Sequence, residues 1–183
     1  MDFRIRIENI VASASLGVEI PLEKLVTKTE GVEYEPEQFP GLVYRISKPK
    51  AAALIFGSGK IVCTGARSIE DVHTVFNKVK NYIKKAGVKI PKAVKIQVEN
   101  IVASAKLNAN LNLDKIAFNL ENSEYEPEQF PGLVYRMDSP RVAFLLFGSG
   151  KIVCTGARSI EDVRKAVKKV SRKLKEISAL VKR

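Results

Sequence analysis

Apolar and polar positions alternate in places from Phe3 to Ala14, and that period of two predicts a strand. From Pro21 to Thr29 the spacing becomes helical, with proline in the first turn and Leu22, Leu25 and Val26 on one face. Leu42 to Ile46, Ala51 to Phe56 and Lys60 to Ala66 are short branched and aromatic runs separated by the turn signals Lys48-Pro49 and Gly57-Ser58-Gly59. They predict antiparallel strands joined as hairpins. Next, Ser68 and Asp71 form a Ser-x-x-Asp cap, and Ile69, Val72, Val75, Phe76, Val79 and Ile83 keep helical spacing until Gly87. In Ala51 to Phe56 and Lys60 to Ala66 both alternating faces are apolar or small, so each face needs a cover. Helices can cover one. Val11, Leu54, Phe56 and Val62 are then left on the other, where an extended apolar patch marks either a binding surface or a dimer contact.

The same pattern occurs twice. Glu8 to Ala14 returns as Glu99 to Ala105, Tyr34 to Arg45 as Tyr125 to Arg136, and Phe56 to Val72 as Phe147 to Val163, always 91 residues later and with about half of all paired positions identical. Two long copies imply a duplicated domain with pseudo-twofold symmetry, since a solenoid needs several shorter units. The join is expected between Gly87 and Lys92, giving repeats 1–91 and 92–183.

At 183 residues, 45% hydrophobic and 28% charged, the chain has an ordinary globular composition. No apolar stretch reaches the length of a spanning helix, and the first residues lack a secretion signal, so the protein is expected inside the cell. Cys63 and Cys154 occupy matching Lys-Ile-Val-Cys-Thr-Gly-Ala-Arg contexts, which suits buried strand positions better than a disulfide or a metal site. The net charge of +11 points to an anionic partner. Lysine and arginine outnumber aspartate and glutamate by 14 to 10 over residues 1–91 and by 17 to 10 over residues 92–183. The run Arg164-Lys165-Ala166-Val167-Lys168-Lys169, with Arg172 and Lys173, makes one face of the helix expected over Ser159 to Ser178 basic. That face suits acidic proteins or flanking DNA.

The repeated Glu-Asn-Ile-Val-Ala, Tyr-Glu-Pro-Glu-Gln-Phe-Pro-Gly-Leu-Val-Tyr-Arg and Phe-Gly-Ser-Gly-Lys-Ile-Val-Cys-Thr-Gly-Ala segments closely resemble the TATA-box-binding core family. With no long N-terminal extension the chain looks like the archaeal form. The resemblance implies an α+β saddle of two pseudo-symmetric repeats, a curved ten-stranded antiparallel sheet with four helices on its convex face. It also implies a general transcription initiation factor that binds the minor groove of A·T-rich promoter DNA and bends it.

Under that resemblance Phe39, Phe56, Phe130 and Phe147 are wedges between base steps. Asn9 and Asn100, assisted by Thr64 and Thr155, donate to the acceptors on the groove floor, where G·C pairs add an obstructing amino group. Strand parity puts Val11, Leu54 and Val62, and their mates Val102, Leu145 and Val153, on the DNA face. Arg45, Ser58, Lys60, Arg136, Ser149 and Lys151 are placed to meet phosphates, which sets register without reading sequence. Glu126, Glu128 and Gln129 are expected to receive transcription factor B, with RNA polymerase machinery assembling afterwards. A homodimer through the apolar face is expected off DNA. The location implied is cytoplasmic at the nucleoid if the chain is archaeal, nuclear if it is eukaryotic.

Enzyme readings fail on the residues. Leu54 and Ile61 break the phosphate-loop pattern around Gly57-Ser58-Gly59-Lys60, and His73 is a lone histidine on a helix. Glu35, Glu37, Glu126 and Glu128 lie in proline-containing loops without a partner base. The chain is therefore read as a non-enzyme without metal or cofactor. The alternatives are a basic module for single-stranded nucleic acid, which would spread exposed aromatics along its strands, and a noncatalytic domain of a DNA repair protein.

Overall fold

Residues 4–26 and 31–182 are described by a computed structural model. The chain divides into two compact units, one of Asn9–Glu99 and the other of the residues up to Glu8 together with those from Asn100 onward.

The first unit takes in β1 (Arg6–Ser15) from Asn9 onward, with β2 (Val32–Glu33), β3 (Leu42–Ile46), β4 (Ala51–Ile55) and β5 (Lys60–Ala66), in the order β2-β3-β4-β5-β1, every pairing antiparallel. Helices α1 (Leu22–Leu25) and α2 (Ile69–Lys85) complete it, with α2 packed on β4 and β5. The Ser68 hydroxyl accepts from the Asp71 amide at 3.0 Å, so the cap read from the sequence forms. At the far end the Gly87 amide donates to Lys84 at 2.9 Å with φ +87°, a left-handed stop that glycine adopts without cost. The Tyr82 hydroxyl donates to the Leu25 carbonyl, tying α2 to α1.

The second unit repeats the plan with β6 (Ile96–Lys106) from Asn100 onward, β7 (Asn110–Leu111), α3 (Leu113–Asn119), β8 (Ser123–Glu124), β9 (Leu133–Met137), β10 (Val142–Leu146), β11 (Lys151–Ala157), α4 (Ile160–Glu176) and β12 (Leu180–Val181). Its five-stranded order is β6-β11-β10-β9-β8, and β12 pairs with β7 apart from it. The described residues thus hold the ten antiparallel sheet strands and four helices expected of this α+β fold. In both units a helical lysine reaches the preceding hairpin: Lys78 donates to the Lys48 carbonyl, and Lys169 to Ser139 at 2.6 Å.

One face of each sheet is sealed. Ile10, Ala12, Ala53, Ile55, Ile61 and Cys63 are fully buried in the first unit, as are Phe144, Leu146 and Ile152 in the second. The bulkiest buried side chain comes from the helix in one unit, Phe76, and from the sheet in the other, Phe144; their counterparts are the smaller Val167 and Ala53. Volume is conserved while its source changes, which a close-packed interior tolerates.

Several expectations shift. The strand expected from Phe3 begins at Arg6; Phe3 itself, and Thr27 to Thr29 of the first helix, lie outside the described residues. Val26 does not share the buried face of Leu22 and Leu25: it is 46% exposed because the helix ends at Leu25 and Val26 leaves helical geometry with ψ 76°. Ile69 is exposed in the first turn of α2. Phe56 stands just past β4, where the chain turns.

Candidate nucleic-acid interface

The other face of each sheet is open. In β4 and β5 buried residues alternate with the half-buried Ala52, Leu54, Val62 and Thr64. Register aligns Val43, Leu54 and Val62 in one row across three strands, with Arg45, Ala52 and Thr64 in the next. Val11 lies on the same face, at the register break between Ile10 and Ala12. The second unit carries the same rows: Val134, Leu145 and Val153, then Arg136, Ala143 and Thr155, with Val102 on β6. An open row of branched apolar side chains keeps its driving force for burial unspent.

Each asparagine sits beside a glycine in a strand. Asn9 Oδ1 accepts from the Gly65 amide at 2.6 Å, and Asn100 Oδ1 from the Gly156 amide at 2.6 Å. Gly65 and Gly156 have φ +94° and +104°, in the region open chiefly to glycine, and this turns their N–H groups toward the asparagines. With the oxygen engaged, the NH₂ group is what remains of each amide, and in Asn100 it donates to Thr155. Asn100 Nδ2 lies 3.2 Å from Thr155 Oγ1, so Thr155 stands in the same polar cluster.

The phenylalanines come in pairs. Phe39 and Phe56 meet edge to face at 5.8 Å between ring centroids, and Phe130 and Phe147 at 6.0 Å. Phe39 and Phe130 are 39% and 41% exposed, although a quadrupole-matched pair of this size is ordinarily a core feature. Beneath each pair lies a glycine. A Cβ on Gly41 would stand 2.8 Å from Phe39 Cε1 and 3.0 Å from Phe56 Cε1; on Gly132 it would stand 2.8 Å from Phe130 Cε1 and 2.9 Å from Phe147 Cε1. The loop approaching each pair is a turn, with the Glu35 carbonyl accepting from Gln38 and Phe39 and the Glu126 carbonyl from Gln129 and Phe130.

The basic residues are exposed. Lys60 and Lys151 follow tight hairpin turns in which the Phe56 and Phe147 amides donate to the Lys60 and Lys151 carbonyls, and Ser58 and Ser149 lie within those turns. Arg45 and Arg136 are engaged in part, 3.7 Å from Glu33 and 3.2 Å from Glu124. Exposed pairs of this kind contribute about 0–1 kcal/mol and exchange readily for a phosphate. Glu126, Glu128 and Gln129 are exposed in their turn.

Several groups on this surface are not among the residues expected from sequence. Val43 and Val134 belong to the open rows and were legible from strand parity. Lys106 stands directly opposite Lys151, where like charges repel unless an anion lies between them, whereas Ser15 faces Lys60 in the first unit. The orienting glycines Gly65 and Gly156 carried a weak signal, since glycine inside a strand marks a bulge. Cys63 and Cys154 lie on the sealed face, away from the open rows, and burial pushes their thiols up to about 11 and about 12. Among the described residues no group of three or more His, Cys, Asp or Glu side chains could hold a metal ion, and no helix is long and apolar enough to cross a membrane.

Comparison with known proteins gives one pattern. The family model described as "Transcription factor TFIID (or TATA-binding protein, TBP)" matches twice, over residues 4–86 and 95–177. The TATA-box-binding protein of Methanothermobacter thermautotrophicus is 54% identical over 179 residues, covering 98% of this chain and 99% of the relative. That of Archaeoglobus fulgidus is 51% identical over 181 residues, with the same coverage. The solved structure of Methanococcus jannaschii TBP superposes with a TM-score of 0.87 at 50% identity, covering 94% of this chain and 99% of that one.

Proposed function

Because this chain belongs to the Transcription factor TFIID (or TATA-binding protein, TBP) family, we propose that it is a non-enzymatic transcription initiation factor that binds A·T-rich promoter DNA from the minor groove and kinks it by phenylalanine insertion. The observation that carries the reading is the pinned amide. A minor groove floor of A·T pairs offers only acceptors, A N3 and T O2. Asn9 and Asn100 have their own acceptor oxygens occupied by Gly65 and Gly156, and so meet that floor as donors. A G·C pair places a competing donor at the same spot.

The remaining groups follow. Phe39 with Phe56, and Phe130 with Phe147, replace lost base stacking at two kinked steps, each of which costs roughly a few kcal/mol to unstack. Val11, Leu54, Val62 and their mates Val102, Leu145 and Val153 exclude water against sugars and base edges. Arg45, Ser58, Lys60, Arg136, Ser149 and Lys151 meet phosphates, and Thr64 and Thr155 support the asparagines. The working repeats are residues 1–91 and 92–183. They present nearly the same groups to DNA, so a partner sets direction: transcription factor B docks on Glu126, Glu128 and Gln129, and RNA polymerase follows. Off DNA the apolar rows pair with a second copy of the chain. The site of action is the nucleoid.

The test compares a TATA-containing duplex, a G·C duplex and a single strand at one salt concentration. Tightest binding to the TATA duplex, with a bend seen by energy transfer across it, is the expected outcome. Preference for the single strand, or equal binding to both duplexes, overturns the reading.

A further inference from the structure

The open sheet faces leave one strongly charged surface of the second unit unused. Along α4, Val163, Ala166, Val167, Val170, Ser171 and Leu174 are buried. At 100° per residue the opposite half holds Glu161 and Glu176 and six exposed cations, Arg164, Lys165, Lys168, Lys169, Arg172 and Lys175. Two are engaged: Lys165 lies 3.2 Å from Glu161, and Lys169 donates to the Ser139 carbonyl. Arg164, Lys168, Arg172 and Lys175 form no ion pair among the described residues. Helix α2 has the same length, cap and sealed face, yet carries His73, Asn77 and Asn81 where α4 has Arg164, Lys168 and Arg172. Packing therefore does not require the cations.

We propose that this outward face of α4 is a second, sequence-independent binding surface for the phosphate backbone of duplex nucleic acid, separate from the open sheet face. Three physical features favour a duplex over an acidic protein. No apolar or aromatic side chain interrupts the cationic half of α4, whereas protein interfaces are built around apolar and aromatic anchors and are depleted in lysine. Phosphate binding needs only closely set cations, because affinity comes from released counterions. The stripe from Arg164 to Lys175 runs about 16 Å at 1.5 Å per residue. Duplex DNA carries one charge per roughly 1.7 Å of axis, so about nine charges lie along that length. A chain using both surfaces would hold two duplex segments at once.

The experiment saturates the full chain with an unlabelled TATA duplex, then titrates in a short labelled G·C duplex across a range of salt. A second duplex is expected to bind at low salt with a steep salt dependence. The triple variant Arg164→His, Lys168→Asn, Arg172→Asn imports the residues of α2; it should keep the wild-type melting temperature and TATA affinity while the slope of log K against log salt flattens by about 2.7, at about 0.9 per lost phosphate contact. The charge-keeping pair Arg164→Lys with Arg172→Lys should bind the second duplex as the wild type does. The proposal is overturned by any of three results: no second duplex on the wild type, an unchanged slope in the triple variant, or polyglutamate binding this face as tightly as the duplex at equal salt. Failure to take up the TATA duplex would count against the proposed function instead, and the difference in salt slope between wild type and triple variant on the G·C duplex alone would still decide the role of α4.

Discussion

Changing Asn9 to Asp replaces one NH₂ group by oxygen and leaves the shape of the side chain intact. Its carboxylate still accepts from the Gly65 amide, which lies 2.6 Å from Asn9 Oδ1, and a charged acceptor strengthens that bond. The fold should therefore be spared. Binding should not, because the outward atom changes from a donor to a negatively charged acceptor facing A N3 or T O2. The lost hydrogen bond is worth about 1 kcal/mol, and leaving the base acceptor unsatisfied in a closed interface costs about 1–3 kcal/mol more. The sum of about 2–4 kcal/mol corresponds to roughly 30- to 700-fold weaker binding at about 1.4 kcal/mol per tenfold. Fluorescence anisotropy on a TATA duplex reads the first quantity. A thermal melt reads the second and should move by less than about 2 °C, since 1 kcal/mol shifts a chain of this size by about 2–4 °C. Asn9→Ala removes the donor without adding a charge and should fall between the wild type and Asn9→Asp in affinity. The reasoning is refuted if Asn9→Asp binds the duplex within about threefold of the wild type, or if it binds better than Asn9→Ala.

Gly132→Ala places a methyl group 2.8 Å from Phe130 Cε1 and 2.9 Å from Phe147 Cε1, so the rings must move; a smaller bend by energy transfer is expected, and an unchanged bend would remove these rings from the kink. Glu126→Arg with Glu128→Arg should weaken the ternary complex with transcription factor B in a gel-shift assay while sparing binary DNA binding, and an intact ternary complex would move the partner elsewhere. Burial raises the Cys63 and Cys154 thiols from 9.0 to about 11 and about 12, so the folded chain keeps protons that the unfolded chain releases above pH 9, and stability falls as pH rises through that window. At pH 10 each thiol should account for a loss of about 1.4 kcal/mol, seen in denaturant melts as a difference between the wild type and Cys63→Ala or Cys154→Ala; identical alkaline losses in all three would show that the thiols are solvated.

What the sequence determined by itself is what repeats and what alternates. The offset of 91 residues revealed the duplication, short branched and aromatic runs between turn signals located β3 and β5 to the residue, and the Ser68 cap placed the start of α2. These signals are local, set by backbone geometry and nearest neighbours. Strand parity even separated Leu54 and Val62 from Ile55 and Ile61 before any contact was known. The tertiary structure decided everything that depends on a group distant in the chain. That the Asn9 oxygen is occupied rests on an amide 56 residues away; that Phe39 pairs with Phe56 over Gly41, and that Lys106 faces Lys151, rests on how the strands pair. Val26 was misread because its burial depended on where a four-residue helix stops, and so short a helix has too few hydrogen bonds for periodicity to fix its end. Register is a collective property of the packed sheet, and a pattern along one strand carries no record of which partner lies across from it.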